Sequence, residues 1–285
     1  MVGATGMVRL RNGCTVRDGV LVRKEAPGSF LASMQVLEYI RAYSIGRIGW
    51  NAFNAHVIVS GAFSLYRKDL VVRLGGYHRY AIGEDVELNM RIQRALLEAK
   101  CSYRILYAPA ARCFTQAPVD FKSLARQRNR WQQGLITTVR LNTRLLFNPA
   151  YGFLGMFAVP FYAFLELPAP VLEFFGYIVM PLFALFGMLS AKYTLILLGL
   201  VFLYGTGVSF LAVLIDWKNF GFYGDKSYKK LASLLFLENF GFHQLTVFWR
   251  MQGIADYLKE VHVRGMGWRS PDRWTALEPA KEGVS

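Results

Sequence analysis

The chain has 285 residues, enough for one or two domains with a true core, with 54% hydrophobic residues, 15% aromatic residues and a formal net charge of +14. That charge calls for an anionic partner, and a mean hydropathy of +0.26 with long apolar runs favours phosphorylated small molecules and lipid headgroups over nucleic acid. Cys14, Cys101 and Cys113 are too far apart for zinc-finger spacing and read as reduced thiols facing the cytosol, and Met1-Val-Gly-Ala-Thr-Gly does not read as a secretory signal.

Residues 7–23 read as short strands joined by tight turns. Met7 to Arg11 alternates apolar and basic residues, and Asn12-Gly13 and Asp18-Gly19 are hairpin signals. After the Ala26-Pro27-Gly28 break, residues 29–52 predict a helix, with Phe30, Met34, Leu37 and Ile40 or Arg41 at helical spacing. Asn54 to Tyr66 predicts a buried strand interrupted at Ser60-Gly61, where a glycine marks either local packing or a close approach to backbone or ligand. Leu74-Gly75-Gly76-Tyr77 closes a short helix and Gly83-Glu84-Asp85 opens another, with Val86, Met90 and Leu97 along one side. Two readings of Glu84 and Asp85 stand side by side. As helix caps or dipole partners they contribute about 0.5–2 kcal/mol; as ionised carboxylates, favoured by the same dipole, either could accept a proton from a hydroxyl.

Residues 102–116 predict a strand ending at Ala117-Pro118, and Asp120 then caps a helix running to about Leu146. Lys122, Arg126, Arg128, Arg130, Arg140 and Arg144 load this helix with positive charge, opposite Phe121, Leu124, Trp131, Leu135 and Ile136. An amphipathic helix lying on an anionic membrane surface explains that charge, but it does not call for Gln127, Arg130 and Trp131 together.

Beyond Leu145 no charge appears between Arg144 and Glu166, between Glu173 and Lys192, or between Lys192 and Asp216. A membrane-spanning helix needs about 20 mostly apolar residues. The candidates are 148–166, 168–190, 193–215 and 231–249, the last carrying Glu238, Asn239, His243 and Gln244, which fit a re-entrant segment or one packed against protein as well as a span. Basic residues on both sides place the 120–144 helix and the tail after Arg250 in the cytosol, so an even number of crossings is expected, four in preference to two. Glu166, Glu173 and Glu238 call for a partner, an aqueous pathway or an interfacial position. His243 reads as a satisfied packing histidine, and Asp256 to Trp274 as a basic tail bearing tryptophans.

The run Val59-Ser-Gly-Ala-Phe-Ser-Leu-Tyr-Arg, then Gly75-Gly76-Tyr77, Gly83-Glu84-Asp85, Gln127-Arg-Asn-Arg-Trp131 and finally apolar spans, resembles the membrane-embedded family 2 glycosyltransferases. These include the synthases of cellulose, chitin, hyaluronan and poly-N-acetylglucosamine. The resemblance implies an α/β fold, part of a GT-A nucleotide-sugar transferase domain, followed by an α-helical transmembrane domain. It divides the chain into a transferase part (1–118), an interfacial helix with the Q-x-x-R-W motif (119–147), the spans (148–250) and a cytosolic basic tail (251–285).

The roles it implies are Asp85 as the base, with Glu84 beside it, Gln127 and Arg130 at the donor diphosphate, and Trp131 as the acceptor platform, with Ser60 and Gly61 near the acceptor. The implied partners are a nucleotide-sugar donor, a polysaccharide or lipid acceptor and the lipid bilayer, at the bacterial inner (plasma) membrane, with the catalytic part cytosolic. Mg2+ or Mn2+ is expected for the family. Its Asp-x-Asp ligands have no counterpart in residues 1–60, whose only acids are Asp18, Glu25 and Glu38, so the chain reads as the C-terminal part of a longer enzyme.

Overall fold

The computed structural model describes residues 1–18, 20–78 and 81–264. In chain order come β1 (Gly3–Leu10), β2 (Thr15–Arg17), β3 (Val20–Arg23), α1 (Phe30–Arg41), α2 (Arg47–Ala52), β4 (Ser64–Tyr66), α3 (Lys68–Arg73), α4 (Glu84–Glu98), β5 (Ile105–Thr115) and α5 (Phe121–Leu141). There follow α6 (Val159–Phe161), α7 (Ala169–Leu185), α8 (Ala191–Asn219), α9 (Asp225–Leu237) and α10 (His243–Arg264). The chain is thus α/β in its first half and helical in its second.

Buried strand β1 lies at the centre of a three-stranded mixed sheet of order β4-β1-β5, antiparallel to β4 and parallel to β5. Two glycines make this possible. A Cβ at Gly3 would sit 2.7 Å from the Tyr66 ring, and one at Gly6 would collide with the Phe63 ring. The Asp18 hairpin forms as expected, β2 pairing with β3 around a positive φ of 49° at Asp18. Asn12-Gly13 makes a turn but no hairpin, because β2 pairs with β3 rather than with β1. The Asn12 side chain instead bridges to Ala117, accepting from its N–H at 2.7 Å and donating to its carbonyl at 3.0 Å.

The helix expected over 29–52 is continuous but not uniform, since a π turn at Ala42–Gly46 joins α1 to α2. Met34, Leu37 and Ile40 are buried, whereas Phe30 is exposed. The strand expected from Asn54 shrinks to β4. Residues 55–59 are largely buried, yet the His56 and Val57 carbonyls accept from side chains of α4 rather than from a neighbouring strand. Helix α5 starts where expected, with Asp120 Oδ1 accepting from the Ser123 N–H at 2.8 Å, and ends at Leu141. It is not a helix merely resting on a surface: Leu124, Arg128, Gln132, Leu135, Thr137 and Thr138 are all buried.

Among the described residues two helical runs are long and apolar enough to cross a membrane, Leu154–Leu185 and Ala191–Asn219, and only 6% and 22% of their most apolar windows are buried. The 231–249 stretch is not one helix, because α9 and α10 are separated by non-helical Phe240 and by Gly241 at a φ of 93°. α10 then continues through Arg250 to Arg264, past the division expected at 250, and the tail beyond 264 lies outside the described residues. The acids in the apolar half have partners. Glu166 pairs with Arg250 at 3.0 Å, Glu173 with His243 at 2.6 Å, and Glu238 with Arg41 at 2.7 Å.

Hydrophobic packing crosses the divisions expected from the sequence. Met34, Leu37 and Ile40 of α1 share a core with Ala212 and Val213 of α8 and with Tyr228 and Leu231 of α9. At the same junction Arg9 of β1 forms a buried two-point ion pair with Asp216, at 2.6 and 2.9 Å. Ser44 Oγ and Tyr228 Oη donate to the same carboxylate, each at 2.6 Å. A charge held this far from water persists only when its lone pairs are filled.

Candidate active site

Helix α4 begins at Gly83, whose φ of 79° a residue with a Cβ would adopt only with strain. Gly83 has no side chain to cap this end, and the first-turn carboxylates Glu84 and Asp85 lie at the positive pole of the helix. Glu84 is exposed. Asp85 turns towards the segment before β4, and its Oδ2 accepts from the Gly61 N–H at 2.7 Å. That contact explains the glycine, since a Cβ on Gly61 would lie 2.7 Å from Oδ2 and 3.0 Å from the Asp85 Cβ. Burial, reinforced by the nearby Asp85 charge, raises the pKa of Tyr66. Ser60, next to Gly61, closes a local turn: its carbonyl accepts from Ser64 Oγ at 2.7 Å and from the Phe63 N–H at 3.0 Å.

Asn89 and Gln93, one and two turns beyond Asp85 on the same helix face, fix the Ser60-Gly61 segment. Asn89 Nδ2 donates to the carbonyls of His56 and Val57 at 2.5 and 3.1 Å, and Gln93 Nε2 donates to His56 at 2.7 Å. Elsewhere on α4, buried Arg91 pairs with Glu87 at 2.9 Å and donates to the carbonyls of Leu74 and Gly76, which fastens the Gly75-Gly76 loop. Sequence reasoning did not single out Asn89 or Gln93. Their i, i+4, i+8 spacing with Asp85 was the available signal.

The start of α4 meets α5 backbone to backbone. A Cβ on Gly83 would be 3.2 Å from Gly134 Cα, and one on Gly134 would be 3.0 Å from the Ile82 carbonyl oxygen. Arg130 and Trp131 precede Gly134 by four and three residues, so they project from the adjacent turn of the same face, with Cβ atoms about 5–6 Å away. The structure therefore brings together, through Gly61, Gly83 and Gly134, elements that are distant in the chain. Arg130 is exposed and makes no hydrogen bond or ion pair among the described residues. Gln127 Oε1 is enclosed by protein and has no hydrogen-bond partner among the described residues. Trp131 keeps 43% of its surface exposed, and the Arg128 guanidinium lies 4.6 Å from its ring centroid.

The other side of α5 is locked onto α10. A Cβ on Gly253 would be 2.7 Å from the Asn129 carbonyl oxygen, and Asn129 Nδ2 donates to Asp256 at 2.7 Å. Gln132 donates to the Leu167 carbonyl at 3.1 Å and accepts from Arg250 Nε at 2.8 Å. Among the described residues no group of three or more His, Cys, Asp or Glu side chains could hold a metal ion. The Mg2+ or Mn2+ implied by the resemblance therefore has no complete ligand set on them.

A family model described as "Glycosyl transferase family group 2" matches residues 19–213. Among curated proteins, the chain is 30% identical over 106 residues to a poly-beta-1,6-N-acetyl-D-glucosamine synthase of Staphylococcus aureus (strain COL), a match covering 37% of this chain and 24% of that protein. It is 33% identical over 85 residues to the "Probable glycosyltransferase YdaM" of Bacillus subtilis (strain 168), covering 30% of this chain and 19% of that protein. The matched stretches thus span a quarter or less of these relatives.

Proposed function

The chain belongs to glycosyl transferase family group 2, and from that premise we propose that it takes part in transferring a sugar from a nucleotide-sugar donor to a growing polysaccharide at a membrane. The name of the staphylococcal relative points to N-acetylglucosamine as the sugar. Asp85 accepts the proton of the acceptor hydroxyl. As that oxygen bonds to the anomeric carbon from one side, the bond to the donor diphosphate breaks on the other. The electron pair leaves with the nucleoside diphosphate, and the configuration inverts. Gln127 and Arg130 hold the diphosphate, whose departing charge a guanidinium fork neutralises. Trp131 offers its exposed face to the acceptor sugar, with Glu84 and the Ser60-Gly61 backbone beside it.

One observation carries this reading. Asp85 is not spent as a cap on its own helix; it is oriented by the Gly61 N–H, at a helix start that touches α5 one turn from Trp131. That hydrogen bond fixes the direction in which the carboxylate faces, which a base requires.

The bilayer belongs to the same proposal. Leu172, Leu185, Tyr193, Leu195, Leu203 and Tyr204 are each at least 66% exposed on α7 and α8. A core helix of a soluble protein would bury such side chains, whereas a lipid environment accepts them. Two crossings put the 1–147 part and α10 on one side, the cytosolic one by the distribution of basic residues.

The test is Asp85→Asn in the full-length protein in native membranes. Transfer should fall by about 10²- to 10⁴-fold with nucleotide binding retained. Turnover at the wild-type rate would overturn the assignment of the base. Product on a lipid alone, with no sugar added to an oligosaccharide, would replace the polysaccharide acceptor by a lipid one.

A further inference from the structure

Trp131 is held on one face by a buried cation. The Arg128 guanidinium, 7% exposed, lies 4.6 Å from the indole centroid and donates from Nη2 to Glu38 Oε2 of α1 at 2.5 Å. We propose that Arg128, anchored by Glu38, is a positioning residue for acceptor binding: it covers one face of the Trp131 indole and fixes the other as the surface on which a sugar ring docks. This rests on the reading of Trp131 as the acceptor platform.

Three observations point to positioning rather than to stability. First, a buried guanidinium is a poor stabiliser, and an apolar side chain of similar volume would pack between α5 and α1 at no desolvation cost. Second, the Arg128 Nε is buried with no hydrogen-bond partner among the described residues, so the pair is not optimised as a fold-stabilising contact. Third, the helix that carries Glu38 is itself anchored. Arg41, one turn beyond Glu38 on α1, donates to Glu238 at 2.7 Å and to Ser209 of α8 at 2.6 Å. The indole is thereby tied to α1 through the Arg128–Glu38 ion pair, and α1 is tied to α8, one of the two candidate spans, by the Arg41–Ser209 hydrogen bond. Burial raises the Glu38 pKa, against the opposing charges of Arg128 and Arg41. An exposed tryptophan free to change rotamer would have to be ordered by each incoming acceptor, and one clamped in advance need not be.

The test uses the full-length protein in membranes, with a short β-1,6-linked N-acetylglucosamine oligosaccharide as acceptor and a nucleoside-diphosphate N-acetylglucosamine as donor. The variants are Glu38→Gln, Arg128→Gln, Arg128→Lys and Trp131→Ala, with acceptor and donor KM measured separately. Glu38→Gln and Arg128→Gln should raise acceptor KM about 3- to 10-fold while donor KM changes less than about twofold. Arg128→Lys, which keeps a cation against the indole, should recover part of the loss, and Trp131→Ala should exceed both. Glu38→Gln is near-isosteric, so it remains informative if Arg128→Gln fails to accumulate. If Trp131→Ala raises acceptor KM but the Glu38 and Arg128 variants leave it unchanged, or change both KM values alike, the positioning role is overturned and the platform survives. If Trp131→Ala leaves acceptor KM unchanged, the platform reading falls, and the positioning role with it.

Discussion

Gly61 shows how closely the site is built around one carboxylate. In Gly61→Ala the new methyl would meet Asp85 Oδ2 at 2.7 Å, and only the carboxylate can give way. If Asp85 is the proposed base, the variant should fold with a thermal midpoint close to wild type yet lose up to about 100-fold in turnover through misalignment; parallel melting and rate measurements check this. His56 carries a pH prediction. Burial, reinforced by Arg47 and Arg104, pushes its pKa down to about 4, and its Nδ1 has no hydrogen-bond partner among the described residues. The unfolded chain binds a proton near pH 6.5 that the folded chain refuses until about pH 4. Stability is therefore full above the upper value and falls as pH drops through this window, by roughly 3 kcal/mol in all. Urea titrations at pH 7 and pH 4.5 should show the difference, and His56→Gln should remove most of it. The proposed roles of Asp85 and Trp131 came from the order of motifs and the family it resembles, since an acidic pair at a helix start reads equally well as a cap. Asn89 and Gln93 were not legible in the sequence, since an amide that binds a backbone carbonyl leaves no mark beyond its spacing.

At the scale of elements, periodicity foretold α1, α4, β5 and the start of α5. It failed where side chains replaced a ladder, as at residues 55–59, and where a left-handed glycine broke a long apolar run, as at Gly241. It also missed the tie between the sheet and the helical half. Arg9 and Asp216 are separated by most of the chain, and no local pattern announces their pairing. Removing one partner leaves a buried charge unmatched. Asp216→Ala or Arg9→Met should therefore lower stability by about 3–5 kcal/mol, and the paired Arg9→Met/Asp216→Leu change should recover much of it; denaturation in detergent would follow both. The α4–α5 contact is as specific. Gly134→Val must push the Ile82 carbonyl away from α5 and should reduce transfer more than it reduces stability, as paired rate and melting measurements would show.

At the scale of the whole molecule, the sequence read the helical half as lipid-embedded, and the two long exposed apolar runs support that placement. What it could not read was how the halves join: α1 packs on α8 and α9, and α5 on α10, so that the site and the candidate spans share a core. With two crossings, the short link at Ser190 lies on the far side from Cys14, Cys101 and Cys113. A membrane-impermeant maleimide applied to intact cells should label Ser190→Cys and spare the native cysteines, and the reverse pattern would invert the orientation. The most direct measurement is a structure of the full-length protein with a nucleoside diphosphate and an acceptor oligosaccharide bound. The prediction is diphosphate oxygens on Arg130 and Gln127, the terminal sugar on the open face of Trp131, and its reacting hydroxyl within about 3 Å of the Asp85 carboxylate. A diphosphate or sugar bound away from these groups, with Asp85 facing neither, would contradict it.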